Sequence, residues 1–309
     1  MPVLVVAGHP ARYREPMTFN DNANVGGSNA RRRGRTAAVA GGGVAGLGGI
    51  AVLIFALLTG GSFDLSSLLG GGAGTAPQGS GDQAITDCET GAQANADDTC
   101  RLVATSVVLD DYWTATVDGY REPQLIIVDQ QAASPCGTAS NATGPFYCPA
   151  DETVYIDPTF FGLLRSQFDT SAGSLAQMYV LAHEYGHHVQ HLIGVMDQYP
   201  NNGSGPTSNG VRTELQADCL AGAFIADMAT LTDEDGNRYL QTPTEAQIRD
   251  ALDAAATVGD DHIQQQSGGF VNPESWTHGS SEQRQRWFAT GYQDGPGSCD
   301  TFAVSGGQL

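Results

Sequence analysis

Five residues, His183-Glu184-Tyr185-Gly186-His187, restrict this chain more than any other part of it. On a helix of 3.6 residues per turn, His183 and His187 stand one above the other on a single face. Two imidazoles at that spacing can close on one Zn²⁺ at about 2.0–2.1 Å each. Glu184, beside the first of them, can reach a water at the metal without ligating the metal itself. The surrounding stretch 174–194 makes a helix credible. Leu175, Met178, Tyr179, Ala182, Val189, Leu192 and Ile193 give it a broad apolar face, and Gly194 suits a C′ stop. The plain alternative is a core helix that merely contains histidines. That alternative leaves a carboxylate in an apolar run with no partner, which buried charges seldom tolerate.

A catalytic zinc takes three protein ligands and keeps one position open. The next stretch with helical spacing, 209–231, offers Glu214 and Asp218, four residues apart and so on one face. We assign Glu214 to the metal and Asp218 to the free N–H of a ligand imidazole; the reverse assignment stays open. Two acids on a helix could also be a solvated face. Leu215, Ala217, Cys219, Leu220, Ala223 and Phe224 around them leave little of this helix for water. An astacin-like third histidine is excluded, because Gln190 and Ile193 stand where that pattern needs Gly and His. His191 continues the row one turn beyond easy reach, and His188 projects about 100° from His187. Both read as ordinary surface or core histidines, and His9 and His262 have no evident role.

The chain of 309 residues is acidic, with a net charge of −20, and all fourteen basic residues are arginine. From residue 60 onward eight arginines face 32 acidic residues, so nucleic acid or anionic lipid is not bound by charge. The head, 1–35, is polar and arginine-rich and reads as a disordered tail, with Met17 a possible second start. Residues 36–58 carry no charge and would span about 34 Å as a helix, enough for a bilayer core of about 30 Å. With arginines only on its N-terminal side, the expectation is a single-pass anchor, N-terminus cytoplasmic and the remainder outside. A cleaved signal peptide is the alternative, against which the run exceeds the usual apolar length. Residues 59–84 read as a Gly/Ser-rich linker, and 85–309 as one globular domain.

Six cysteines in an exported chain suggest disulfides. Fifteen pairings are possible; loop economy favours Cys88 with Cys100, Cys136 with Cys148, and Cys219 with Cys299. Helical spacing covers 97–117, Gln124 to Asp129 reads as a strand, and Phe146–Cys148 and Val154–Ile156 read as a strand pair. Thr242-Pro243-Thr244-Glu245 looks like a capping box with Pro at N1, and Ser280 to Gln283 opens a last helix.

The segments GPFYCPADETVYID, VLAHEYGHHVQ, RTELQADCLAG, GDDHIQQQ and SWTHGSSEQRQRWF, in that order, resemble the neutral zinc metallopeptidases of bacterial membranes over about 103–302. That family is similar to the wider gluzincin peptidases, in which H-E-x-x-H is followed by E-x-x-x-D on the next helix. The resemblance implies an α+β, zincin-like domain: a small sheet on a helical core, preceded by one transmembrane helix. It supports His183, His187 and Glu214 as zinc ligands, with Asp218 orienting a histidine. By the same analogy His278, ahead of the last helix, would lie near the cleft and donate to an oxyanion, with Arg284 bracing its turn. A plain helix-entry residue is the other reading of His278.

The expected function is that of a membrane-anchored, zinc-dependent endopeptidase. One catalytic Zn²⁺ would activate water, with Glu184 as general base and a peptide or protein as substrate. The peptide would lie extended against the Val154–Ile156 strand, pairing its backbone to the sheet edge, the part an edge strand just before the metal helix plays in gluzincin-like folds. The alternative is a zinc-binding but non-proteolytic extracytoplasmic scaffold, against which the intact Glu184 speaks; a non-peptidic hydrolase is not excluded by fold.

Overall fold

A computed structural model describes residues 18–34, 82–167, 170–268 and 270–309. Among the described residues seven short strands occur in chain order: β1 (Arg31–Arg33), β2 (Gln83–Ala84), β3 (Gln124–Val128), β4 (Gln131–Ser134), β5 (Gly137–Ser140), β6 (Phe146–Cys148) and β7 (Thr153–Ile156). The main helices are α1 (Gly91–Ala96), α2 (Asp98–Thr116), α3 (Phe160–Gln167), α4 (Ser174–Leu192), α5 (Asn209–Asp227), α6 (Glu245–Thr257), α7 (Asp260–Gly268) and α8 (Ser281–Asp294). The arrangement is α+β, a small mixed sheet against a helical core.

The sheet runs β2-β1-β3-β7-β6, with β1/β3 and β3/β7 parallel and the two outer pairings antiparallel. Period-2 alternation sorts its side chains. Leu125, Ile127, Tyr147, Val154 and Ile156 join the main core with the helices. Ile126, Val128, Phe146, Cys148 and Tyr155 pack beneath the β4–β5 hairpin, which Cys136–Cys148 pins to β6. Both faces are therefore covered, which is why β3 reads as a continuous apolar run. All three economical disulfide pairings are present.

Several expectations need correction. The strand Val154–Ile156 is not an edge: β7 is paired on both sides, and β6 is the outer strand. The capping box sits two residues later than its sequence motif suggests. Thr244 is the N-cap and Gln247 closes the box, so Pro243 lies outside the helix.

The head is not a disordered tail over 18–34. Phe19 is fully buried and bridges to Leu240, Asn24 donates its N–H to Asp233, and β1 is an inner strand of the sheet, between β2 and β3. The apolar positions Phe19, Ala23, Val25 and Ala30 are too sparse to stand out among polar residues. Arg33 forms a two-pronged ion pair with Asp82, and β2 pairs with β1, so the described segments on either side of 35–81 meet at the same strand. The proposed span, 36–58, lies outside the described residues. Among those described, no helix is long and apolar enough to cross a membrane.

Candidate metal and catalytic centre

The two helices that carry the sequence motifs lie against one another because small residues line their crossing. A Cβ on Gly186 would stand 3.0 Å from the Ala217 Cα, so only glycine lets α4 approach α5 this closely. On the far side of α5, a Cβ on Gly291 of α8 would collide with the Cys219 carbonyl. α4 ends where Gly194 adopts φ 78°, and α5 begins at Ser208, whose hydroxyl accepts from the Val211 N–H.

This packing brings His183, His187 and Glu214 together, all buried. Glu214 Oε2 lies 3.2 Å from His183 Nε2 and Oε1 lies 3.6 Å from His187 Nε2. Among the described residues, this is the one group of three metal-ligating side chains whose ligand atoms gather within 4.8 Å of each other. His187 Nε2 and both Glu184 carboxylate oxygens are buried without a hydrogen bond inside the protein. Orphaned polar atoms at the focus of a nitrogen–oxygen donor set are what a borderline cation such as Zn²⁺ satisfies, so the residues fit the ion.

Asp218 does not join that group. Its Oδ1 accepts from His183 Nδ1–H (2.8 Å), Tyr179 Oη (2.6 Å) and Arg284 Nη2 (2.9 Å), and its Oδ2 from Arg284 Nε (2.8 Å). This arrangement turns His183 Nε2 toward Glu214. Burial would raise the Asp218 pKa, but Arg284 and then His183 outweigh it and hold it at about 2. Arg284 thus braces Asp218 rather than only a turn, donating also to the Val258 carbonyl. Burial pushes the Glu184 carboxyl up, against the opposing charges of His183 and His187. Glu214 adds to the push, while the Tyr147 backbone amide of β6 opposes it.

His278 is buried, and its Nε2 is unpaired. Asp260, at the start of α7, positions it. One carboxylate oxygen accepts the successive N–H groups of Thr277, His278 and Gly279 at 2.7, 2.7 and 3.0 Å, and the other lies 3.4 Å from His278 Nδ1. Burial would lower the His278 pKa, but Glu214 and Asp260 raise it overall. Sequence reading did not single out Asp260 or Tyr179. Asp260 lies within GDDHIQQQ, a segment that carried the resemblance without an assigned role. His188 and His191 serve the sheet: both Nδ1 atoms meet Tyr147 Oη, at 2.9 and 2.7 Å, and His188 Nε2–H donates to the Arg121 carbonyl. Burial pushes His188 down to about 4. The inward His188 is thus a neutral strut between α4 and β6.

Comparison with known proteins bears directly on this centre. The family described as "Putative neutral zinc metallopeptidase" matches residues 13–302. The chain belongs to that neutral zinc metallopeptidase family. The match begins ahead of β1, so the buried N-terminal segment lies within the family's pattern. The chain is similar to protein Rv2575 of Mycobacterium tuberculosis, 49% identical over 223 residues, 72% of this chain and 76% of that relative. It is also similar to YpfJ of Escherichia coli K12, 41% identical over 214 residues, 65% of this chain and 71% of that relative. No solved structure matches the chain.

Proposed function

We propose that this metallopeptidase-family chain is a zinc-dependent endopeptidase, with His183, His187 and Glu214 as the metal ligands. The observation that carries the reading is the buried Glu184 carboxylate, unpartnered beside a three-donor cluster. A bound zinc ion would supply Lewis acidity toward water and the scissile carbonyl.

The chain's own residues do the rest. Glu184 takes a proton from the attacking water and passes it to the leaving amine nitrogen. As a cation His278 carries an Nε2–H that can donate to the developing oxyanion, with Asp260 holding its other face. The substrate backbone pairs with the outer edge of β6, replacing the β7 edge expected from sequence, and the Tyr147 amide there lies close enough to influence Glu184.

Activity should rise with pH as Glu184 ionises and fall again as His278 loses its proton. Burial raises the first of these and neighbouring carboxylates the second. In His278→Gln the alkaline fall should disappear and kcat should drop with little change in KM. An unchanged alkaline limb would remove His278 from the mechanism.

Membrane attachment through 36–58 remains part of the proposal, on composition alone. Its geometry changes, however. A single crossing with the head on the far side would separate β1 from β3, so 18–34 and 82–309 belong on the same side of any membrane.

The test of function is cleavage of a peptide library by the folded protein, with and without a chelator. Chelator-sensitive hydrolysis is expected; retained zinc with no hydrolysis would favour the non-proteolytic scaffold.

A further inference from the structure

We propose that Gln190 and Gln216 are positioning residues that set which nitrogen of His187 faces the metal, through an amide relay fixed at the Cys299 carbonyl. The inference rests on the metal reading above. Its geometry does not depend on it.

The relay can be read from its far end. Gln216 Nε2 donates to the Cys299 carbonyl at 2.9 Å. A backbone carbonyl only accepts, so a flipped Gln216 would face oxygen with oxygen. Its Oε1 is therefore turned to Gln190, whose Nε2 donates to it at 2.9 Å and to the Thr213 carbonyl at 2.8 Å. With both amide protons committed, only Oε1 of Gln190 is left for His187 Nδ1, 2.9 Å away. That contact requires Nδ1–H. In the neutral ring the proton on Nδ1 leaves the lone pair on Nε2, the atom facing Glu214.

Every member is buried, so no water competes for these bonds. The far end is held covalently: Cys299 is joined to Cys219, one turn beyond Gln216 on α5. The two ligand histidines are thus oriented by different chemistry. His183 is held by an ionised carboxylate clamped by Arg284, and His187 by a neutral chain of amides. The neutral chain places no negative charge beside His187 Nδ1.

The test is zinc affinity, measured by competition with a chelator, for wild type, Gln190→Met, Gln216→Met and the double variant. Partners of this kind are worth about 10–100-fold in metal affinity. Gln190→Met should lose that much. Gln216→Met, which touches no ligand, should lose several-fold in the wild-type background and nothing further in Gln190→Met.

Additive losses, or an unchanged Gln216→Met, would overturn the relay. If wild type binds no zinc, the metal reading fails separately. Nitrogen NMR of the metal-free His187 ring then decides: Nδ1–H in wild type with mixed tautomers in Gln216→Met supports the relay, and one unchanged tautomer overturns it.

Discussion

Glu184→Gln is expected to lower kcat/KM for peptide hydrolysis by about 10²–10⁴-fold, the usual contribution of a general base, while the protein keeps its zinc. The side chain is fully buried and neither carboxylate oxygen makes a well-formed hydrogen bond in the protein, with the Tyr147 backbone N–H close enough to influence it. An amide of the same shape costs no structural partner there and removes a group that burial keeps poised to take a proton. The loss should fall on kcat, since a proton acceptor acts in the transition state rather than in binding. Zinc content, kcat and KM measured on one preparation separate the possibilities. Full activity in the Glu184→Gln protein would eliminate the base; lost zinc would mean that Glu184 is a ligand.

Arg284→Met should destabilise the metal-free protein at neutral pH by about 3–5 kcal/mol, the cost of stranding one member of a buried ion pair. Both Arg284 and Asp218 are completely inaccessible to solvent, and two parallel N–H···O bonds join them. The pH dependence has a definite sign. The folded Asp218 pKa is depressed to about 2, so the pair contributes stability above the ordinary carboxylate range, and that contribution is lost as pH falls through about 2. The difference between variant and wild type should therefore be full at neutral pH and shrink toward acid. Denaturant melts at pH 7 and near pH 3 measure it. A pH-independent difference would show that lost packing, not lost charge pairing, is responsible. Because Asp218 holds His183, the variant should also bind zinc more weakly.

Much of the centre could be read from the chain because its chemistry is local. Two histidines at i and i+4 need only a helix to become neighbours, and Glu214 and Asp218 likewise. Which of those acids faces the metal stays open in the sequence; in the structure Glu214 faces the imidazoles' Nε2 atoms and Asp218 meets His183 Nδ1. Residues whose roles depend on long-range placement were harder to see. Asp260 acts on a loop seventeen residues downstream, and Gln216 acts through a carbonyl 83 residues away. Gln190 stands out in the sequence only where an astacin-like pattern needs glycine.

The sheet shows the same contrast. β3, β6 and β7 announced themselves by apolar content, but their order did not, so the edge was assigned to β7 instead of β6. β1 is three arginines, which no propensity scale favours as a strand. Backbone pairing to β3 and the Arg33–Asp82 ion pair hold it there, and neither can be seen within the segment itself.

The central claim is that α4 and α5 assemble one three-ligand zinc site. Metal analysis of the purified, folded protein after dialysis tests it most directly, with His187→Ala and Glu214→Ala beside wild type. The account predicts one zinc per wild-type chain and loss of zinc from both variants, with circular dichroism unchanged. One zinc per chain retained by both variants, or none in wild type after exposure to excess zinc, would contradict it.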